Sequence, residues 1–382
     1  MTDKAATAEI STDDLVAGII EWIGIESPSL DADAVNRMVD HVGAEFESVG
    51  LEMERTPGED GWGDLIRGRA AGSARANKGI LVVSHIDTVH PVGTKDSGNP
   101  IRIEGDNLYG PGTYDMKAGA YMAFYAYKRL LAAGGEPVLP VTFMYIPEEE
   151  RGSPYSRKYI AEEAKKAKYV LVTEPARDGG KVVVERKGSA RFKIIARGRP
   201  SHSGSKHEYG RSAIKEMARQ ICEIESWTDY ERGVTFNCGL VSGGTGVNVV
   251  PETCTMELDH RYVRMADGEE MEARVLGLEP FDPDVTLEVT GGISRPPMEA
   301  TDDILSLFAK ARAYSLEHGL DLQHTDRTGG GSDGNLTAAE GAPTLDGLGA
   351  DGFGAHQLDE HIYISSLEPR ARTWMKLFER LD

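Results

Sequence analysis

Five short segments of the chain carry residue types that could hold a metal ion. The first, Ser84-His85-Ile86-Asp87, directly follows the apolar run Gly79-Ile-Leu-Val-Val-Ser84. In an open α/β sheet, ligands collect beyond the carboxyl ends of the strands. A carboxylate beside a liganding histidine fixes the tautomer and orientation of the imidazole. His85 and Asp87 suit those two roles, although alone they read as a surface histidine and a turn aspartate. The second segment, Gly110-Pro-Gly-Thr-Tyr-Asp115-Met-Lys-Ala-Gly119, is a glycine-rich approach to a helix start. Asp115 stands where the third glycine of a dinucleotide fingerprint belongs, so that fingerprint is not met. An exposed carboxylate beside a helix N-terminus can be a simple cap; with two oxygens it can also serve two cations. Lys117 reads as a solvated charge rather than a catalytic one.

The third segment, Pro147-Glu148-Glu149-Glu150-Arg151-Gly152, again comes straight after an apolar run. Three adjacent carboxylates repel one another, and a nearby dication relieves the repulsion. One glutamate could ligate metal while its neighbour takes the proton from metal-bound water; an acidic solvated loop is the plain alternative. The fourth is Thr173-Glu174-Pro175, at another strand end. In the fifth, Gly352-Phe-Gly-Ala-His356-Gln-Leu-Asp-Glu360-His361, glycines let the backbone turn so that His356 can point into a cleft. His361 reads as a surface or helix-capping residue. Each segment alone is weak. Together, two histidines and several carboxylates at successive strand ends resemble an oxygen- and nitrogen-ligated dimetal site, for which zinc is the first choice.

The elements that must position these residues follow from periodicity. Ser11 and Thr12 can cap an amphipathic helix carrying Leu15, Ile19, Trp22 and Ile23, and a second helix runs from Asp33 to Val49. The runs at 79–84, 140–146 and 169–173 are continuous rather than alternating, as strands buried on both faces are. Helices over 121–131 and 161–167 separate them, which argues for an α/β sheet covered on both sides. Near Gly188 the rhythm changes. Alternating strands at 190–196 and 234–241, further strands at 253–262 and 285–289, and helices at 211–225 and 269–276 give the order β-α-β-β-α-β of a ferredoxin-like unit. Helices at 304–318 and 367–381 then resume the first pattern. The expected organisation is an α/β domain over 1–187 and 295–382, a mixed sheet between helices, interrupted by an inserted α+β domain over 188–294.

The chain has 382 residues, which at about 150 per domain fits two to three domains. Lys and Arg total 42 against 62 Asp and Glu, a formal net charge of −20. So acidic a chain repels phosphate backbones and anionic membranes, so neither nucleic acid nor a membrane is an expected partner. Cys222, Cys238 and Cys254 are too few for a disulfide framework and lack zinc-finger spacing. The start, MTDKAATAEI, has no basic and apolar leader pattern, and no run approaches 18 apolar residues. A reduced, cytoplasmic protein is expected.

SHIDT, GPGTYDMKAG, PEEERGS, TEP, GRPSHSG, GVNVVPE, RTGGGSD and GFGAHQLDE occur in the order found in the dimetal exopeptidases and deacylases. That superfamily includes bacterial glutamate carboxypeptidase, acetylornithine deacetylase and succinyl-diaminopimelate desuccinylase. The resemblance covers nearly the whole chain and is nearest to the glutamate carboxypeptidase branch, through RTGGGSD and the arginine of SRPPMEA. It implies that His85, Asp115 and Glu174 hold one metal, and that Asp115, Glu150 and His356 hold the second, with Asp115 bridging. Asp87 would orient His85. Alignment on Arg151-Gly152-Ser153 makes Glu149 the general base and Glu150 the ligand, with Glu148 leaving a one-residue ambiguity. The inserted domain becomes a lid and dimerisation domain. His202 matches the histidine that reaches a partner subunit's site to stabilise the oxyanion. Asn248 matches a substrate-contacting asparagine. Arg295 matches the residue that binds the substrate's terminal carboxylate, a task suited to a planar guanidinium. Arg261 is a weaker substrate-binding candidate beside an ordinary strand-edge salt bridge, and Arg327 with TGGGSD would shape the pocket.

The implied enzyme is a homodimer with two zinc ions per subunit, cobalt or manganese being alternatives. It would cleave an amide beside a free carboxylate in a small peptide or N-acyl amino acid and release a residue such as glutamate. Glu174, where the family alternates Glu with Asp, goes more often with carboxypeptidase and deacylase activity. A deacylase of arginine or lysine biosynthesis is the nearest rival. A non-catalytic binding protein on the same fold is the rival of another class, and the intact ligand set with Glu149 argues against it.

Overall fold

The computed structural model describes residues 9–70 and 78–382. Most of the N-terminal stretch read for a leader lies outside these residues. The chain divides into two compact units. The first runs to Glu185 and resumes over Ala300–Thr328 and Ser332–Asp382; the second is Arg186–Glu299 with Gly329–Gly331.

In the first unit, α1 (Thr12–Gly24) begins where the Ser11 side chain accepts from the amide of Asp14, and α2 (Ala32–Ser48) is capped in the same way by Asp31. The strands β1 (Leu51–Thr56), β2 (Leu65–Ala70) and β3 (Gly79–His85) follow. A short pair, β4 (Arg102–Glu104) and β5 (Asn107–Tyr109), precedes α3 (Ala118–Ala132), β6 (Val141–Ile146), α4 (Arg157–Lys166) and β7 (Ala167–Val172). The six-stranded sheet is completed from beyond the second unit by β14 (Thr344–Leu345), in the order β1-β2-β6-β3-β7-β14. The neighbours β6, β3, β7 and β14 pair in parallel, whereas β1 and β2 are antiparallel. The sheet is therefore mixed, as expected.

The central strands β3, β6 and β7 are buried on both faces, which explains their unbroken apolar runs. One face packs Leu81, Val83, Met144, Ile146, Val170 and Val172 against Ile160 and Ala164 of α4. The other stacks Phe143 against Phe46, Phe124 and Tyr127, and against Phe378 of the last helix, with centroids 5.4–6.1 Å apart. Such tilted and edge-on pairs add stability beyond the area they bury. Two short strands after the second unit, β15 (Gly352–Phe353) and β16 (His361–Tyr363), join β5 and β4 in a small antiparallel sheet, and the chain ends in α9 (Leu367–Arg380).

The second unit runs β8 (Gly188–Arg197), β9 (Ser201–His202), α5 (Ala213–Glu225), β10 (Thr235–Gly243), β11 (Val249–Val250), β12 (Thr253–Tyr262), α6 (Met265–Leu276) and β13 (Thr286–Arg295). Its main sheet is antiparallel in the order β10-β12-β8-β13, the ferredoxin-like arrangement. Phe192, Ile194, Met256 and Leu258 on the sheet pack with Met217 and Ile224 of α5 and with Met271 and Val275 of α6. The observed β13 extends well past the expected 285–289, through Gly291 and Gly292 at positive φ to a register shift before Arg295. Two helices carry the first unit on from there, α7 (Asp302–Leu316) and α8 (Asp333–Ala339). Among the described residues no helix is long and apolar enough to cross a membrane.

Candidate metal centre

His85 is the last residue of β3, Glu149 and Glu150 follow β6, and Glu174 follows β7, so three parallel neighbours deliver donors from their carboxyl ends. Asp115 arrives on the turn before α3. At Gly119, the start of that helix, an added Cβ would lie 2.2 Å from the Thr173 carbonyl oxygen, so glycine permits the helix to approach the end of β7. His356 comes from the loop between β15 and β16 and itself sits at φ +65°.

These side chains converge. His85 Nε2 lies 3.1 Å from Asp115 Oδ1 and 4.0 Å from Glu174 Oε1. His356 Nε2 lies 3.0 Å from Glu150 Oε2 and 3.5 Å from Asp115 Oδ2. Asp115 thus offers one oxygen to each histidine. Donor atoms of His85, Asp115 and Glu150 fall within 4.8 Å of one another, and so do those of His85, Glu149 and Glu174.

The electrostatics fit a cation. His85 Nδ1 lies 3.0 Å from the Asp87 carbonyl oxygen, a contact that uses the ring's proton there and leaves Nε2 facing carboxylates. Two acceptors at 3.1 Å repel unless a proton or a metal stands between them. Burial disfavours charge on His85, yet hydrogen bonds to Asp115 and Asp87 overcome it and raise the ring's pKa well above its ordinary value. On His356, hydrogen bonds to Asp115 and Glu150 push it up to about 10. Burial alone would raise Asp115, but His356 and His85 hold its carboxyl well below the usual carboxylate range. Burial and the nearby Asp115 charge raise Glu150, whose buried Oε1 has no hydrogen-bond partner among the described residues. Protons here do what a dication would do better, so nitrogen and oxygen donors of this kind fit zinc or a similar ion.

Around the donors, several sequence-based expectations change. Asp115 is buried rather than exposed, at 8%. Lys117 is not solvated: it is fully buried, and its ammonium donates to the carbonyls of Ile25 at 2.6 Å and Trp22 at 3.5 Å, at the C-terminal end of α1. Burial lowers its pKa to about 7. Asp87 meets His85 mainly through its backbone carbonyl, its carboxylate Oδ1 lying 3.4 Å from the ring. That carboxylate also accepts from the amides of Glu149 at 3.1 Å and Glu150 at 3.3 Å and from the Ser29 hydroxyl at 2.5 Å. Glu148 is fully buried and accepts from the Tyr155 and Ser156 amides and the Ser156 hydroxyl, which supplies the structural reason for a third glutamate. His361 is a β16 residue whose ring lies tilted against Tyr109, with centroids 4.8 Å apart, not a helix cap. Arg327 pairs with Glu185 at 2.7 Å, and Ser332 of the TGGGSD run makes the capping box of α8. Residues the sequence reading passed over also matter: Ser29 beneath Asp87, and Glu360 with His90. The acidic pair Asp359-Glu360 after His356 was the sole hint of the last two.

In the second unit, His202 and Asn248 are neighbours. His202 pairs with Val249, and the Ser203 amide donates to the Asn248 carbonyl. The exposed His202 ring accepts at Nδ1 from the amides of Gly204 and Ser205, at 3.1 and 3.3 Å, so its proton resides on Nε2 as an outward donor. Arg261 and Arg295 flank Ser189 on adjoining strands. Arg261 is held by Asp259 at 2.8 Å, the salt bridge weighed against its substrate role, while Arg295 is 8% exposed at the end of β13. The three cysteines are free thiols.

Fold and donor set together are those of a metallohydrolase built from a sheet-borne centre and a ferredoxin-like unit. The profile of Peptidase family M20/M25/M40 matches residues 81–380, and the chain belongs to that family. It is similar to carboxypeptidase G2 of Pseudomonas sp. (strain RS-16), with 33% identity over 96% of this chain and 88% of that protein. It is also similar to a succinyl-diaminopimelate desuccinylase of Paracidovorax citrulli, 26% identical over 83% of this chain and 84% of the other. Among solved structures, the M20 family metallo-carboxypeptidase Sso-CP2 of Sulfolobus solfataricus shares the fold, with a TM-score of 0.72 at 18% identity, covering 96% of this chain and 99% of that one. So does aminopeptidase PepT of Bacillus cereus, with a TM-score of 0.78 at 22% identity over 97% and 98% of the two chains.

Proposed function

We propose that the chain is a carboxypeptidase-like amidohydrolase that cleaves an amide beside a free carboxylate and releases a C-terminal amino acid such as glutamate from a small peptide or N-acyl amino acid. The observation that carries this reading is the grouping of Glu149 with His85 and Glu174 beside the Asp115–Glu150–His356 cluster, a base set among donors. His85, Asp115 and Glu174 would hold one ion and Asp115, Glu150 and His356 the other, zinc first, with cobalt or manganese as alternatives. When bound, the pair supplies Lewis acidity that polarises the scissile carbonyl and makes water a better nucleophile. Glu149 takes the proton of the attacking water and returns it to the leaving nitrogen. Asp87 keeps His85 in the tautomer that presents Nε2.

His202, with its outward Nε2 proton, would donate to the oxyanion in the site of a partner subunit, and Asn248 beside it would contact substrate. Arg295 would grip the leaving residue's carboxylate, and Arg261, already engaged by Asp259, would contribute less. A homodimer in the cytoplasm, with no nucleic acid or membrane partner, completes the proposal. Similarity to carboxypeptidase G2 supports the carboxypeptidase reading, and similarity to the desuccinylase supports an N-acyl amino acid deacylase as the second.

A hydrolysis panel with zinc-loaded and chelated protein tests it. Peptidyl and N-acyl glutamates would be set against acetylornithine, acetyl-lysine and succinyl-diaminopimelate. Chelator-sensitive release of glutamate supports the proposal; preference for a small acyl group on a basic amino acid replaces it with the deacylase.

A further inference from the structure

Glu360 lies four residues after His356, is 1% exposed, and spends its hydrogen bonds on other segments of the centre. Its Oε1 accepts from the amides of Tyr114 and Asp115, both at 2.9 Å. Its Oε2 accepts from the Gly112 amide at 2.9 Å and pairs with His90 Nε2 at 2.9 Å. Its backbone carbonyl accepts from Asn99 Nδ2 at 2.9 Å and from the Gly110 amide at 3.3 Å. Residues 110–115 are therefore fastened to Glu360 through both its main chain and its side chain.

The backbone of that turn explains why a carboxylate stands there. Gly112 has φ +70°, and Asp115 and Met116 have non-helical angles, so the amides of Gly112, Tyr114 and Asp115 are not consumed by a helix. Buried amides need acceptors, and three of them with an imidazole nitrogen converge on two oxygens. An anion with two lone pairs on each oxygen accepts all four donors; a glutamine of the same shape would turn an NH2 group toward at least one of them. Glu360 also joins three donor-bearing segments: His90 follows His85 on one loop, Asp115 is on the second, and Glu360 shares the third with His356.

We infer that Glu360, braced by His90, is the positioning residue of this centre: it sets the Asp115 carboxylate between the two histidines and thereby governs how tightly the two cations are held. This rests on the reading of Asp115 as a shared metal ligand. Groups that only orient metal ligands typically change metal affinity by about 10–100-fold when altered.

The test is competitive Zn2+ titration, against a chelator of known affinity, of the full-length wild type, Glu360→Gln, His90→Gln and a control, Glu163→Gln. Glu163 is a buried carboxylate of α4 whose partners are Arg69, Arg67 and Lys166, away from the donors. Expected are two ions in the wild type, affinity weakened about 10–100-fold in Glu360→Gln, a smaller loss in His90→Gln, and wild-type affinity in Glu163→Gln even where its Tm falls. Wild-type Zn2+ affinity in Glu360→Gln overturns the inference, as does an equal loss in the Glu163→Gln control. Should Glu360→Gln fail to fold, His90→Gln decides, with weakened affinity supporting the inference and unchanged affinity overturning it. A wild type that binds no Zn2+ sinks the reading of the centre itself, a failure distinct from that of Glu360.

Discussion

Glu148 gives both carboxylate oxygens to Tyr155 and Ser156, whereas Glu149, the next residue, groups with His85 and Glu174. Burial raises the Glu148 pKa to about 7, despite the hydrogen bonds from Ser156 that pull it down. Two adjacent glutamates thus have separate surroundings. Glu149→Gln is expected to lower kcat by about 10²–10⁴-fold, the span of a lost general base, with Zn2+ content unchanged. Glu148→Gln is expected to cost stability, about 1–3 kcal/mol for unsatisfied buried groups, and to leave most of kcat. Steady-state kinetics with metal analysis separates the two, and the reverse pattern would move the base to Glu148.

His260 gives a pH prediction in the second unit. Its ring stacks 4.3 Å from Phe236 and 5.2 Å from Tyr262, Nδ1 meets the Thr235 carbonyl at 3.2 Å, and Nε2 has no partner among the described residues. Protonation would leave an unpaired donor in an aromatic stack, and burial accordingly lowers its pKa. Because the folded value lies below the unfolded one of about 6.5, the unfolded chain binds the proton first as pH falls. The stabilisation is complete above about 6.5 and is lost on acidification through the folded value. Thermal melts between pH 7.5 and 5 should show His260→Phe losing less Tm than the wild type; parallel curves would dismiss the effect.

Arg295→Met tests the carboxylate anchor. Charged hydrogen bonds of this type contribute about 1.5–3 kcal/mol, so KM for a substrate with a free terminal carboxylate should rise about 10–100-fold. Hydrolysis of the corresponding amide, already poor, should hardly change. Equal effects on both substrates would remove Arg295 from that role.

Metal removal should destabilise the first unit. A ligand that binds only the folded chain adds about 2.7 kcal/mol at a hundred times its Kd. Calorimetry with and without chelator should show Tm falling on removal and returning with Zn2+, and Asp115→Asn should abolish most of that difference. A Tm indifferent to chelator would count against a tight centre.

The donors were legible because each sits where a strand or a glycine-bearing turn ends, a position that periodicity exposes. His85 after β3 and Glu174 after β7 are examples. Lys117 was misread because nothing local marks it as buried; its acceptors, the carbonyls at the end of α1, lie more than ninety residues earlier. Glu360 escaped for the same reason, its amide partners being some 245 residues away. The strands of the small sheet are two or three residues long, too short for any period to register. In β1, Leu51 alone is buried, and no alternation with a second buried side chain announces it.

The six-stranded sheet takes its edge strand β14 from beyond the second unit, as the centre takes His356. During synthesis, the ribosome must deliver all of Arg186–Glu299 before either piece exists. A nascent chain therefore carries β3, β6 and β7 with an open flank and an incomplete donor set. Completion of the donor set becomes a late event in the life of each molecule, and a truncated chain lacking the last segment keeps His85, Asp115 and Glu174 but has neither His356 nor the edge strand β14.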